Sequence, residues 1–339
     1  MKPIRNRKPF YFIIFGLMTL ILLIPSLLVL PFNGKSISTV SPKVESVPVS
    51  QPIVFNSSVD VSVYRTDAKQ VDTLPLEEYV KGVVAAEMPA DFEMQALKAQ
   101  ALTARTYIIK MLLHETDLNL PEGADVTDTK MHQVYKSDEE LKQIWPEDYA
   151  WKINKIAKAV KETEGKVITY EGKPIDALFF STSNGFTQNS EDYYSTAFPY
   201  LKSVESPWDK QSPKYTYKHV LPVSLVEQKL NVQLKDDGEI GKVLSRTSGN
   251  YIDMIEIDGK KLNGRDIRDG LELRSTDFTM VKKDDKVIVQ TRGYGHGVGM
   301  SQYGANGMAK AGKTYKEIVK HYYNGVSITD TKAYTAKLN

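Results

Sequence analysis

The apolar residues Leu76, Tyr79, Val80, Val83 and Val84 recur at the i, i+3, i+4, i+7, i+8 spacing of a helix with one buried face. Pro75 suits the first turn of that helix, and Pro89 closes it, because the residue before a proline is driven out of the α region. A second helix is predicted from about Asp91 to Met111. Ala96, Ala99, Ala101 and Ala104 combine strong helix propensity with a small radius, so this segment reads as a buried central helix. Upstream, Val59, Val61 and Val63 alternate with Asp60 and Ser62, the period of a half-buried strand. Downstream, Ser137-Asp138-Glu139-Glu140 is a capping box opening a helix that Pro146 ends. Glu147–Glu164 then carries Ile153, Ile156, Ala157 and Val160 on one face before Gly165. Strands are predicted at Val167–Tyr170, Ile175–Phe180, Tyr251–Ile257 and Lys286–Gln290, with short helices near Leu225 and Arg265. Another helix starts near Ser301, and a final one runs from Thr314 to Tyr323 and stops at Gly325. The tail beyond is expected to fray.

The amino-terminal pattern is different. Phe10–Phe32 carries no charge and follows a basic segment, residues 1–9, that holds Lys2, Arg5, Arg7 and Lys8. As a helix this run spans roughly 35 Å, enough to cross a hydrocarbon core of about 30 Å. Pro31-Phe32-Asn33-Gly34-Lys35 lacks the small-residue pattern of a signal cleavage site, which favours an uncleaved transmembrane anchor at 10–32. The positive-inside rule then places the amino terminus in the cytoplasm and the rest of the chain outside the membrane. Residues 33–52, rich in Ser, Val and Pro, read as an extended tether.

Composition narrows the function classes. The 339 residues exceed what one core usually fills, and a formal net charge of +2 gives no basic excess for a phosphate backbone, which excludes nucleic acid as partner. There is no cysteine, hence no disulfide and no thiolate metal ligand. The expected fold class is α+β: a mixed, two-lobed domain at 53–330 with a cleft between the lobes, the second lobe at about 215–290.

Candidate chemistry gathers at four places. Glu87 falls in the last helical turn, where the negative end of the macrodipole disfavours a carboxylate and raises its pKa. It is either a solvated helix-end residue or a general acid. Arg105, on a largely apolar helix, needs a carboxylate partner, Glu87 among the options, or an anionic ligand. His132, in Met131-His132-Gln133-Val134-Tyr135, sits beside amide and phenol groups suited to sugar hydroxyls, or is a satisfied surface histidine. In Gly293–Gly304, glycines on alternate positions let backbone approach a ligand, with His296 and Gln302 offering hydrogen bonds. The aromatic-dense stretch Tyr193–Trp208 suits a polysaccharide groove or fills a core. Gly307–Thr314 matches a phosphate loop by count, but no strand precedes it, so it is not read as one.

The run Leu-Pro-Leu-Glu-Glu-Tyr-Val-Lys-Gly-Val-Val-Ala-Ala-Glu-Met-Pro, followed by Ala-Leu-Lys-Ala-Gln-Ala-Leu-Thr-Ala-Arg-Thr-Tyr, resembles the stage II sporulation protein D family of peptidoglycan lytic transglycosylases. Thr127–Tyr135, Phe179–Gly185, Tyr200-Leu201-Lys202 and Gly293–Gly304 match as well, so the resemblance covers nearly the whole chain. It implies an enzyme that cuts the β-1,4 bond between N-acetylmuramic acid and N-acetylglucosamine with one acidic residue, matched by Glu87, leaving 1,6-anhydromuramic ends. A hydrolytic muramidase and a non-catalytic glycan-binding scaffold are the alternatives. The resemblance also makes Ser181, Asn184, Tyr200 and Lys202 sugar contacts, with Arg105 and Lys202 holding substrate or tuning Glu87. Family members with cysteines after the matching histidine imply zinc; this chain departs from that pattern, and neither metal nor cofactor is expected. The implied partners are glycan strands, a sporulation amidase (stage II sporulation protein P) and a membrane protein (stage II sporulation protein M), acting in engulfment.

Overall fold

The structure is a computed structural model that describes residues 53–55, 57–113, 120–194 and 196–338. The basic segment 1–9, the expected anchor at 10–32 and the tether at 33–52 lie outside the described residues. Among the described residues no helix is long and apolar enough to cross a membrane. The described residues, from 53 onward, form one compact unit of mixed α and β structure.

The centre of this unit is the helix Met94–Leu113. Its alanines at 96, 99, 101 and 104 are all 0% exposed. With no bulk there, it packs against the helices Leu76–Glu87, Tyr149–Lys161, Gln302–Lys310 and Tyr315–Tyr322 and against the strand Lys166–Tyr170. It begins at Met94 rather than near Asp91, since Asn306 takes the Glu93 N–H and holds the preceding residues in a turn. The strand Asp60–Arg65 pairs antiparallel with Gln70–Pro75, which leads directly into Leu76–Glu87. The capping box at Ser137 and Glu140 is formed, and opens Asp138–Ile144.

Two expectations fail for identifiable reasons. Ile175–Phe180 is not one strand: only Phe179–Phe180 pairs, parallel to Met300–Ser301, because the Asp176 N–H is taken by the Tyr200 hydroxyl. Nor does the carboxyl-terminal tail fray. Ser327–Asp330 pairs antiparallel with Lys166–Tyr170, completing a three-stranded sheet, and the Tyr334 hydroxyl donates to the Gly172 carbonyl.

Residues 216–292 build a second hydrophobic cluster. A four-stranded antiparallel sheet, with Thr216–Pro222 at one edge, and a three-stranded one centred on Ile252–Ile257 enclose Val226, Ile255, Ile267, Phe278, Val287 and Val289. A buried carboxyl, Asp209, binds together three turns of the first cluster. It accepts from the hydroxyls of Ser183, Ser206 and Ser301 at 2.6, 2.6 and 2.7 Å. Ser301 also caps Gln302–Lys310, so this network fixes where that helix begins.

Arg105 is the largest fully buried side chain, and its partner is Glu77, not Glu87. Its Nε donates to Glu77 Oε1 at 2.8 Å and its Nη2 to Oε2 at 2.6 Å. Further bonds reach the Val160 and Lys166 carbonyls, so one guanidinium ties the start of the Glu87 helix to two other elements. Removing one partner of such a pair strands a buried charge. Arg105→Met is therefore expected to cost about 3–5 kcal/mol, and Glu77→Leu/Arg105→Met to recover part of it. Urea unfolding of the three proteins checks this; an unaltered midpoint in Arg105→Met contradicts it.

Candidate functional site

Glu87 is the last residue of its helix. Met88 leaves the helical conformation ahead of Pro89 and is buried, so the chain turns inward and the carboxyl projects into a groove of about 570 Å³. One wall is the segment 130–134. It lies close on the helix because residue 82 is glycine: a Cβ there would fall 2.3 Å from the Tyr135 ring and 2.7 Å from the Lys136 carbonyl. Tyr135 stacks on Tyr79 at 5.7 Å. That approach lets the Val134 N–H donate to Glu87 Oε1 at 3.0 Å. Burial raises the Glu87 pKa, while the Val134 N–H and the nearby charge of Lys130 oppose the rise. The result is an acid partly withdrawn from water and held in one orientation.

The opposite wall is made by Ala177–Ser181 and by the glycine-rich loop. Gly299 has φ +79 and no room for a side chain, since a Cβ would meet the Leu178 carbonyl at 2.1 Å. His296, within that loop, has Nε2 on the Phe179 carbonyl at 3.0 Å, and its Nδ1 accepts the Val298 N–H at 3.1 Å. Both ring nitrogens are thereby used on backbone, and the imidazole packs among Phe180, Tyr193 and Tyr194. His296 shapes the groove. Gln302, at the start of its helix, donates to the main-chain carbonyl of Glu87 at 3.0 Å and fixes the helix end.

Of the residues singled out in the sequence, Glu87, His132, Ser181, His296 and Gln302 meet in this groove. His132 Nδ1 accepts the Thr127 N–H at 3.2 Å, which leaves the proton on Nε2; that buried atom and Gln133 Nε2 have no partner among the described residues. Four do not line the groove. Arg105 is sealed on Glu77. Asn184 is buried, its amide donating to Gly249 and Asp277 at 3.1 Å. Lys202 is paired with Glu191 at 2.5 Å. Tyr200 is nearly buried and donates to Asp176 at 3.0 Å beside a separate groove of about 580 Å³. The expected cleft between lobes differs too, as no residue of 215–290 lines the groove around Glu87.

Sequence reasoning missed Tyr107, Lys130 and Lys214, which line the groove. Their signal was weak: a tyrosine on the central helix and two lysines in turns, none in a diagnostic spacing. Glu87 is the one carboxylate among the lining residues. Nor, among the described residues, do three or more His, Asp or Glu side chains converge as a metal site would require.

Burial and the charge of Arg268 hold His296 neutral, pulling its pKa down to about 4. An unfolded histidine titrates near 6.5, so the unfolded chain takes up the proton first. The stability due to neutral His296 is complete above that pH and is lost as pH falls toward 4. Thermal midpoints measured between pH 7 and 4 should fall more steeply for the native chain than for His296→Gln; parallel curves contradict this.

Comparison with known proteins places the chain in a family. The family model described as Stage II sporulation protein matches residues 64–170, which include Glu87, Arg105 and His132. The chain is 48% identical to stage II sporulation protein D of Bacillus amyloliquefaciens over 338 residues, covering 97% of this chain and 98% of that protein. It is 48% identical to the protein of the same name from Bacillus subtilis (strain 168) over 337 residues, with coverage of 97% and 98%. A more distant relative, the amidase enhancer of Bacillus subtilis (strain 168), is 28% identical over 74% of this chain and 40% of its own length. With nearly half of its residues identical across almost its full length, the chain belongs to the stage II sporulation protein D family.

Proposed function

We propose that this protein is a lytic transglycosylase acting on the glycan strands of peptidoglycan in wall remodelling during sporulation. The observation that carries the reading is the lone carboxylate of the groove. Hydrolysis by either usual route needs two carboxyl groups flanking the bond, one to protonate the leaving oxygen and one to activate water or attack the sugar. Glu191, Asp192 and Glu205, the acids in and beside the aromatic-dense stretch, do not line the groove. A muramic residue carries its own nucleophile, the C6 hydroxyl, so one acid suffices.

In this mechanism Glu87, whose carboxyl burial biases toward the protonated form, donates its proton to the glycosidic oxygen as the bond to the muramic C1 breaks. The departing N-acetylglucosamine leaves with a free 4-hydroxyl. The carboxylate then takes the proton of the C6 hydroxyl as that oxygen bonds to C1, closing the 1,6-anhydro ring and restoring the acid. No water is consumed. The Val134 N–H keeps one carboxylate oxygen fixed through both transfers. The likeness to the amidase enhancer supports a second reading, a glycan-binding scaffold that assists another enzyme.

Glu87→Gln keeps the shape of the side chain and its bond from Val134 while removing the proton. It should lower cleavage by about 10²–10⁴-fold with strand binding retained. Mass spectrometry of peptide-free strands treated with residues 53–339 should show anhydro ends one water lighter than reducing ends. Reducing ends as sole product, or an active Glu87→Gln protein, contradicts the mechanism; binding with no cleavage by either protein selects the scaffold.

A further inference from the structure

A row of alternating cations and rings leads away from the groove toward the second hydrophobic cluster. Tyr294 and Lys214 belong to the groove lining. The Lys214 ammonium lies 5.8 Å from the centre of the Tyr294 ring and 5.5 Å from that of Tyr303. The Arg274 guanidinium lies 5.1 Å from the Tyr294 ring and 3.5 Å from the Tyr217 ring. Tyr217 meets His219 edge-on at 4.6 Å. Tyr217 and His219, two apart on the edge strand Thr216–Pro222, share one face of it.

Three properties separate this row from ordinary surface packing. Its rings are open to solvent, with Tyr294 37% and Tyr217 39% exposed. Its cations are unneutralised: among the described residues no carboxylate pairs with Lys214 or Arg274, while the nearby Asp277 is engaged by Arg246 and Arg292. And its members are held in register by backbone. Gly293 donates to the Tyr215 carbonyl at 2.7 Å and Gly295 to the Arg274 carbonyl at 2.9 Å, while Tyr294 exchanges two bonds with Thr182. The glycine loop that walls the groove thus also fixes the row.

We infer that this row is an extended subsite for a carboxylate-bearing glycan, occupied by the strand where it runs out of the groove. The assignment rests on the glycan reading of the groove. Exposed tyrosine rings suit the C–H faces of pyranose rings, and a guanidinium 3.5 Å from the centre of such a ring adds N–H donors for a carboxylate. Muramic residues supply that carboxylate from their lactyl groups when these are free, at every second sugar. The row therefore reads charge as well as shape: it binds acidic strands and gains little from a neutral N-acetylglucosamine polymer.

The test uses the catalytically silent Glu87→Gln protein, and adds Tyr217→Ser with Arg274→Leu to it. Binding is measured by calorimetry to peptide-free strands of increasing length, and to the same strands with their carboxylates amidated. The added substitutions should weaken binding of long acidic strands about tenfold, the loss growing with length and shrinking on amidation or in high salt. Arg274→Lys alone, which preserves the charge but not the planar N–H edge, should bind long acidic strands with an affinity between those of the parent and the doubly substituted protein, and thermal midpoints identify any variant that fails to fold. Equal affinity of the substituted and parent proteins for long acidic strands overturns the subsite while leaving the groove intact. If the Glu87→Gln parent binds no strand of any length, the glycan reading and the subsite fall together.

Discussion

The ion pair between Arg105 and Glu77 is the constraint on which the rest of the site depends. It joins the central helix to the first turn of the helix whose last residue is Glu87, and both side chains are essentially sealed from water. A helix is a stiff rod, so fixing its start against the core aims its end. The end is then pinned from two further directions, by Gln302 on the Glu87 carbonyl and by Val134 on the carboxylate. Gln302 is placed in turn by the Asp209 hydroxyl network, which gathers Ser183, Ser206 and Ser301. The acid thus stands on rigid supports drawn from residues far apart in the chain.

The electrostatics of the groove are a balance, not a single effect. Burial favours the neutral acid, and a position at the negative end of a helix works the same way. One backbone donor and the charge of Lys130 pull in the other direction. A group meant to give up a proton and take one back must not be too comfortable in either state. The two histidines nearest the acid are both held toward the neutral form by burial, and His296 has no free nitrogen with which to compete.

Much of this was legible in the chain and some was not, for physical reasons. Periodicity marked the Glu87 helix, the alanine-rich central helix and the capping box at Ser137, because those signals are local. The misplaced acid at a helix end was visible for the same reason. What escaped depends on contacts between distant segments. Arg105 announced a need for a carboxylate but not which one; Glu77, three and seven residues before Val80 and Val84 on the buried face, was passed over in favour of Glu87. Tyr200 and Asn184 look like sugar contacts in sequence, yet their polar atoms are spent on Asp176 and on Gly249 and Asp277. Motif matching cannot distinguish a polar side chain that meets a ligand from one that holds the wall in place. The tail from Ser327 to Leu338 lacked any strong local pattern and is ordered only because the strand Lys166–Tyr170 has an edge to cover.

The central claim is that Glu87 is a buried acid poised to donate a proton, and the titration of that one carboxyl tests it most directly. Carbon-13 labelling of glutamate side chains in residues 53–339, with Glu87→Gln identifying the resonance, would follow its ionisation by NMR. The account predicts a midpoint clearly above the value of about 4.3 for a solvated glutamate. A midpoint at or below that value would show an ordinary helix-end carboxylate, and would remove the basis for Glu87 as the acid.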